Sequence, residues 1–298
     1  MNRYLVIAGC SFTCYWPEIL AKKLGYISAN NGVTAAGNEI IHYQIIYAID
    51  TLLNNGVDPD NILPIISWGE VNRQDFIINH VDTPNYDLIM LDMDRYEQEN
   101  KLCIHHHFRE PYLGIVDLNE EYIKSIKAPS ADPDGKFNTW IKSGGHMAKG
   151  TYWETYYGKY HTEEQHFLNL LIRIHHTQMY FEKNDLDYRM INWQNIFHER
   201  KDKKSQVDVS QCFNSKKARL LADKYPSTKH IWNMIDLSKF IFYEDDFVSM
   251  GGIGEFTVRN NIPGDGGVVG EGHPTEIGCG RFVDDVLLPE ISYRTVKD

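Results

Sequence analysis

Apolar residues recur along this chain in two rhythms, and their order sets out the fold. Tyr4-Leu5-Val6-Ile7-Ala8 is an unbroken apolar run of strand length, the pattern of a strand buried on both faces of a parallel sheet. Gly9 lets the backbone turn sharply at the end of that run. Pro17 to Leu24 then places apolar residues at helical spacing, and Gly25 ends the helix. Tyr26 to Ala29 is a short segment leading into Asn30-Asn31-Gly32. Asn38 stands where an N-cap would stand, ahead of a helix reaching about Asn54. Its Ile41, Ile45, Ile49 and Leu52 form one apolar stripe. Gly56 and Pro59 break that helix. Ile62 to Trp68 reads as the next buried strand, with the strand proper expected to begin after Pro64. This β-α-β-α-β alternation predicts a parallel sheet covered on both faces.

From about Phe76 to Tyr160 the periodicity dissolves into a stretch rich in Tyr, His, Pro and Gly. Asp132-Pro133-Asp134-Gly135 is a turn signal between two candidate strands, Tyr122 to Lys127 and Lys136 to Ile141. The segment 76–160 reads as an insertion in a single domain, a lid or partner surface near the active face. Helical spacing resumes at Thr162, which has capping-box spacing to Gln165. The helix is expected to reach about Phe181, with Phe167, Leu170, Leu171, Ile174 and Met179 turned inward. Tyr188 to Trp193 predicts a fourth strand, and His230 to Ile235 a fifth strand or a loop. A glycine-rich loop spans Gly264 to Gly272. The last helix is expected from about Thr275 to Leu288, stopping at Pro289.

Composition narrows the function. At 298 residues, 42% hydrophobic and 24% charged, the chain can bury one large core or two modest ones. Its formal net charge of -11 argues against nucleic acid as a partner, because phosphate contacts need clustered Lys and Arg. The basic run at Lys201, Lys203 and Lys204 is diluted by Glu199 and Asp202 and reads as a solvated loop. Five scattered cysteines (Cys10, Cys14, Cys103, Cys212 and Cys279) form no disulfide framework. No apolar run reaches transmembrane length, so no membrane is expected as a partner. Val6 to Cys10 looks like a lipoprotein lipidation box, but only nine residues precede Cys10, too few for a signal peptide. A cytoplasmic location is expected.

The candidate chemistry begins at Ser11. It follows the first strand at a sheet's carboxyl edge, where open α/β sheets bind ligands. It is a candidate nucleophile, and the competing role is a helix cap. Four blocks follow in order: Gly9-Cys10-Ser11-Phe12-Thr13, Asn31 to Asn38, Trp68-Gly69-Glu70-Val71-Asn72-Arg73, and Gly272-His273-Pro274-Thr275. Together they resemble the SGNH hydrolases, also called the GDSL esterase and lipase family, and most of all the divergent members found in tailed phages. The resemblance covers roughly residues 1–75 and 160–290. It implies a three-layer, flavodoxin-like α/β fold with a central parallel sheet of about five strands.

The resemblance also implies roles. Ser11 matches the family's nucleophile and His273 its general base. Ala35, or the more flexible Gly37, would supply a backbone N–H to the oxyanion, and Asn72 a side-chain donor. The sequence departs from the family at three points. Cys10 replaces the aspartate before the serine. Gly270 stands where the triad acid is usual, leaving Glu271, Asp265 or a backbone carbonyl to orient the histidine. Asn72 lies one residue further from its glycine than the family pattern. Asn38 reads as a cap, and Arg73 as a structural ion pair. The implied reaction is ester hydrolysis through an acyl-serine, with no cofactor and no metal. The implied substrate is a small-molecule or glycan ester, such as O-acetyl on a carbohydrate. The alternative is a fold kept without turnover, as a virion component or glycan-binding module in contact with virion partner proteins. In a phage setting the location would be the host cytoplasm or the virion.

Three other features compete. Cys103, His105, His106 and His107 cluster, but adjacent side chains diverge, so a solvated run is expected over a metal site. Leu88 to Asp94 superficially resembles the nucleophile motif of haloacid-dehalogenase phosphatases, but lacks the hydroxyl residue expected after Asp94. Cys10 is a candidate thiolate nucleophile with no identified partner, and a small buried residue is the simpler role.

Overall fold

The computed structural model describes residues 2–32, 36–71, 74–78, 139–143, 159–199, 214–269 and 272–295. The chain opens with β1 (Tyr4–Ala8), buried at every position. A single 3₁₀ turn, Ser11–Thr13, leads into α1 (Trp16–Leu24), and Gly25 closes that helix in the left-handed conformation. β2 (Ile27–Asn30) precedes α2 (Asn38–Asn54), and β3 (Ile62–Trp68) follows it. β4 (Gln74–Ile78) and β5 (Thr139–Ser143) form a separate antiparallel pair. The long α3 (Glu163–Lys183) starts at Thr162, whose hydroxyl accepts from the Gln165 N–H at 3.2 Å. It delivers the chain to β6 (Arg189–Asn192). Short helices α4 (Leu221–Lys224), α5 (Lys229–Trp232) and α6 (Ile253–Arg259) come next. The last segment is α7 (Glu276–Phe282), a π-helical stretch Val283–Leu287, and α8 (Leu288–Thr295).

The fold is α/β, and among the described residues the parallel sheet has four strands, against the about five expected, in the order β2-β1-β3-β6. β1 lies between β2 and β3, so the chain reverses its direction of travel across the sheet there. The carboxyl ends of β1 and β3 therefore flank a topological switch point, the place where such sheets bind ligands. Helix α2 packs on β1 and β3 and against α3, while α1 packs on β1 and β2 and against α7. The core joins Ile7, Ile65 and Ile66 from the strands with Leu20, Ile41, Ile45, Leu171 and Phe282 from the helices.

Several expectations are corrected. Pro64 lies within β3, paired with Val6 of β1. β6 pairs with β3 only from Ile65 onward, so Pro64 has a strand on one side alone and its missing N–H breaks no ladder there. The segment His230 to Ile235 is not a strand: it enters α5 and the turn after it, with Ile231 and Ile235 at helical spacing. Instead Phe240 makes a parallel bridge to Met190 beside β6, and the Ile241 N–H donates to the Met190 carbonyl at 2.8 Å. Pro289 does not stop the last helix; the π turn just before it shifts the backbone register in which proline's ring would clash. Met179 is 53% exposed rather than inward. Asn38 is not the cap of α2: Gly37 holds that position and Asn38 is the first helical residue.

Of the hairpin expected around Asp132 to Gly135, the first strand, 122–127, lies outside the described residues. The second overlaps β5, which pairs with β4. The Cys103–His107 cluster, the Asp92 and Asp94 motif and the 201–204 basic run also lie outside the described residues. Among the described residues, no helix is long and apolar enough to cross a membrane.

Candidate active site

Ser11 opens the 3₁₀ turn beyond β1 and is 4% exposed. The turn is closed twice at Cys10, whose carbonyl accepts from the Thr13 N–H at 3.0 Å and from the Thr13 hydroxyl at 2.7 Å. The Trp16 indole N–H donates to the Phe12 carbonyl at 3.1 Å and ties the turn to α1. Asn30, at the end of β2, donates from Nδ2 to the Thr13 carbonyl at 2.8 Å and accepts the Gly32 N–H at 3.0 Å. One amide therefore fixes the Ser11–Thr13 turn to the loop after β2. That loop presses close: a Cβ on Gly32 would sit 1.8 Å from Thr13 Oγ1, so no side chain fits there.

The fourth block reaches Ser11 from the far end of the chain. His273 Nε2 lies 2.8 Å from Ser11 Oγ. On the other side of the ring, Nδ1 is 3.5 Å from Asp265 Oδ2. Asp265 also accepts the His273 backbone N–H through Oδ1 at 3.0 Å, and its own N–H donates to the His273 carbonyl at 2.9 Å. The acid and the imidazole are thus parts of one locked loop. Gly272 makes this possible: its φ is +72°, and a Cβ would stand 2.0 Å from Asp265 Oδ1. With a carboxylate at Nδ1, the ring's proton belongs on Nδ1 and Nε2 is left to accept the serine O–H.

Two aromatic rings border the pair. The Phe12 centroid is 4.8 Å from that of His273 and 4.2 Å from that of Trp193, which follows β6. The end of β3 is held by Asn38, which is 3% exposed. Its Oδ1 accepts the Gly69 N–H at 2.9 Å, and its Nδ2 donates to the Glu70 carbonyl at 3.1 Å.

The structure brings Ser11, His273 and Asp265 together. Glu271 and Gly270 lie outside the described residues, as do Ala35, Asn72 and Arg73. Gly37 caps α2, with its carbonyl taken by the Ile41 N–H at 3.2 Å. Cys10 is buried and lies directly before the turn. Among the described residues, no group of three or more His, Cys, Asp or Glu is placed to hold a metal ion. Sequence reasoning missed the clamp made by Asn30 and the ring of Trp193. Asn30 was readable only as part of a polar turn, and Trp193 only as a strand end.

The arrangement can do acid–base chemistry at a hydroxyl. A buried O–H facing an imidazole nitrogen can be deprotonated as the oxygen attacks, and a carboxylate behind the ring stabilises the imidazolium that forms. No family model matches this chain, and no curated protein or solved structure matches it.

Proposed function

We propose that this chain is a serine ester hydrolase working through an acyl-serine intermediate. The observation that carries the reading is the 2.8 Å approach of His273 Nε2 to Ser11 Oγ, with Asp265 behind the ring. Ser11 attacks the ester carbonyl while His273 takes its proton. The imidazolium then gives that proton to the departing alcohol. Water repeats the cycle in reverse and frees the acid. The Ser11 N–H, at the start of a helical turn, is a natural oxyanion donor. Gly37 or Ala35, and Asn72, are the further donors that the resemblance to SGNH hydrolases implies. The strand order, with the nucleophile turn at the switch point and helices packed on the sheet, supports the three-layer arrangement of that family. The partly exposed ring of Trp193, packed on Phe12 beside the pair, favours a substrate with a ring to stack, such as an acylated carbohydrate.

The test is hydrolysis of p-nitrophenyl acetate by the parent and by Ser11→Ala. We expect Ser11→Ala to lose at least about 1000-fold in kcat/KM with its thermal melt unchanged. Equal rates in the two proteins would overturn the reading and favour the turnover-free alternative, a glycan-binding module or virion component.

A further inference from the structure

We propose that Cys14 and Cys279 form a dithiol site that closes to a disulfide, joining the nucleophile turn to the helix behind His273. Cys14 directly follows the Ser11–Thr13 turn and is half-buried. Cys279 lies in α7 and is buried. They are 265 positions apart in sequence, yet both thiols point at one atom. The Pro274 carbonyl accepts from Cys14 Sγ at 3.8 Å and from Cys279 Sγ at 3.9 Å. That carbonyl belongs to the residue next to His273. The pKa of Cys279 is held well above the usual thiol range, first by its hydrogen bond to Cys14 and then by burial. Sharing that one acceptor places the two sulfurs in one neighbourhood. Both are free thiols.

Exposure fixes the order of events. Cys14 is the less buried residue of the two and is assigned the first attack, and the buried Cys279 the resolving one. With a low-molecular-weight disulfide such as glutathione disulfide, the Cys14 thiol gives its proton to solvent and its sulfur attacks one glutathione sulfur. The glutathione S–S bond breaks, and one glutathione thiol leaves. Cys279 then attacks Cys14 Sγ, breaks the mixed disulfide, and its proton goes to the second departing glutathione. Two protein thiols are oxidised to one disulfide, and one glutathione disulfide is reduced to two thiols. The proposal requires the sulfurs to close to the S–S length of about 2.05 Å. The crosslink would bridge the segment carrying Ser11 to the one carrying His273 and constrain a very long loop in the unfolded chain.

The experiment uses the full chain, incubated folded with glutathione disulfide, alkylated under denaturing conditions and peptide-mapped without reduction. We expect a Cys14–Cys279 crosslinked peptide and a melting temperature raised by about 5 °C, both reversed by dithiothreitol. In Cys279→Ser, oxidation should stop at a glutathione adduct on Cys14. In Cys14→Ser, Cys279 should stay a thiol, which keeps the test open if either variant folds poorly. A parent that stops at the glutathione adduct, keeps both thiols, or crosslinks through Cys10, Cys103 or Cys212 would overturn the proposal. No readout requires ester turnover, so the outcome is independent of the hydrolase reading.

Discussion

Replacing Asp265 by Asn tests the acid with the least disturbance to its loop. The asparagine Oδ1 can still accept the His273 backbone N–H now held at 3.0 Å, so the Gly264–Pro274 segment keeps its main anchor. What changes is the face turned to Nδ1. An amide N–H there would push the ring proton to Nε2, where it blocks acceptance from Ser11. The variant also loses the carboxylate charge beside the imidazolium. At the observed 3.5 Å, that attraction is about 1 kcal/mol in water and about 5 kcal/mol at an effective dielectric of 20. Asp265 is 38% exposed, which places the value toward the watery end, about 1–3 kcal/mol. The expected loss in kcat/KM is therefore about 10- to 100-fold, well short of that for Ser11→Ala. The assay is p-nitrophenyl acetate hydrolysis between pH 6 and 9, with a thermal melt as control. Parent-like rates with an unchanged melt would refute Asp265 as the orienting acid. A loss as deep as that of Ser11→Ala would refute the screened, partly exposed geometry behind the estimate.

Three further outcomes are expected. Gly272→Ala should destabilise by about 1–3 kcal/mol and lower kcat/KM, because its φ of +72° and the 2.0 Å approach to Asp265 both exclude a side chain; a melt and rate equal to the parent would contradict this. Asn38→Leu should cost about 2–4 kcal/mol in urea denaturation by orphaning the Gly69 N–H and Glu70 carbonyl, and a change below about 0.5 kcal/mol would refute the clamp. His42 should make stability depend on pH. Burial, then His176 and Arg173, lower its pKa from 6.5 to about 4, so the unfolded chain binds more protons between those values. Its contribution is complete above pH 6.5 and is lost as pH falls toward 4, at most about 2 kcal/mol by pH 5. His42→Gln should flatten that slope in urea titrations at pH 7.5 and 5, and an unchanged slope would count against it.

Elements set by local periodicity were legible in the sequence. β1, α1, α2 and α3 follow from apolar spacing and from Gly25 and Thr162 at their ends. What escaped was set by partners distant in sequence. Pro64 is tolerated because β6 stops short of it, and Asn38 serves β3 rather than capping its own helix because Gly69 lies across from it. Ser11 and His273 were readable because each stands at a turn with a short, directional signature. The choice between Asp265 and Glu271 was not, because both share one glycine-rich loop. The left-handed φ of Gly272 goes with Asp265 folding back onto the histidine, while Glu271 lies outside the described residues.

The pairing of Ser11 with His273 spans 262 positions. During synthesis the Ser11–Thr13 turn, β1 and β2 emerge early, while His273 arrives only after almost every other described element has been made. A ribosome-bound chain therefore carries Ser11 without His273 for most of translation. On the proposed hydrolase reading, reactivity at Ser11 would rise only late, when the segment holding His273 docks onto the sheet. On that reading, labelling of Ser11 by a serine-directed phosphonate would be a clock for completed folding rather than a gauge of catalytic power alone.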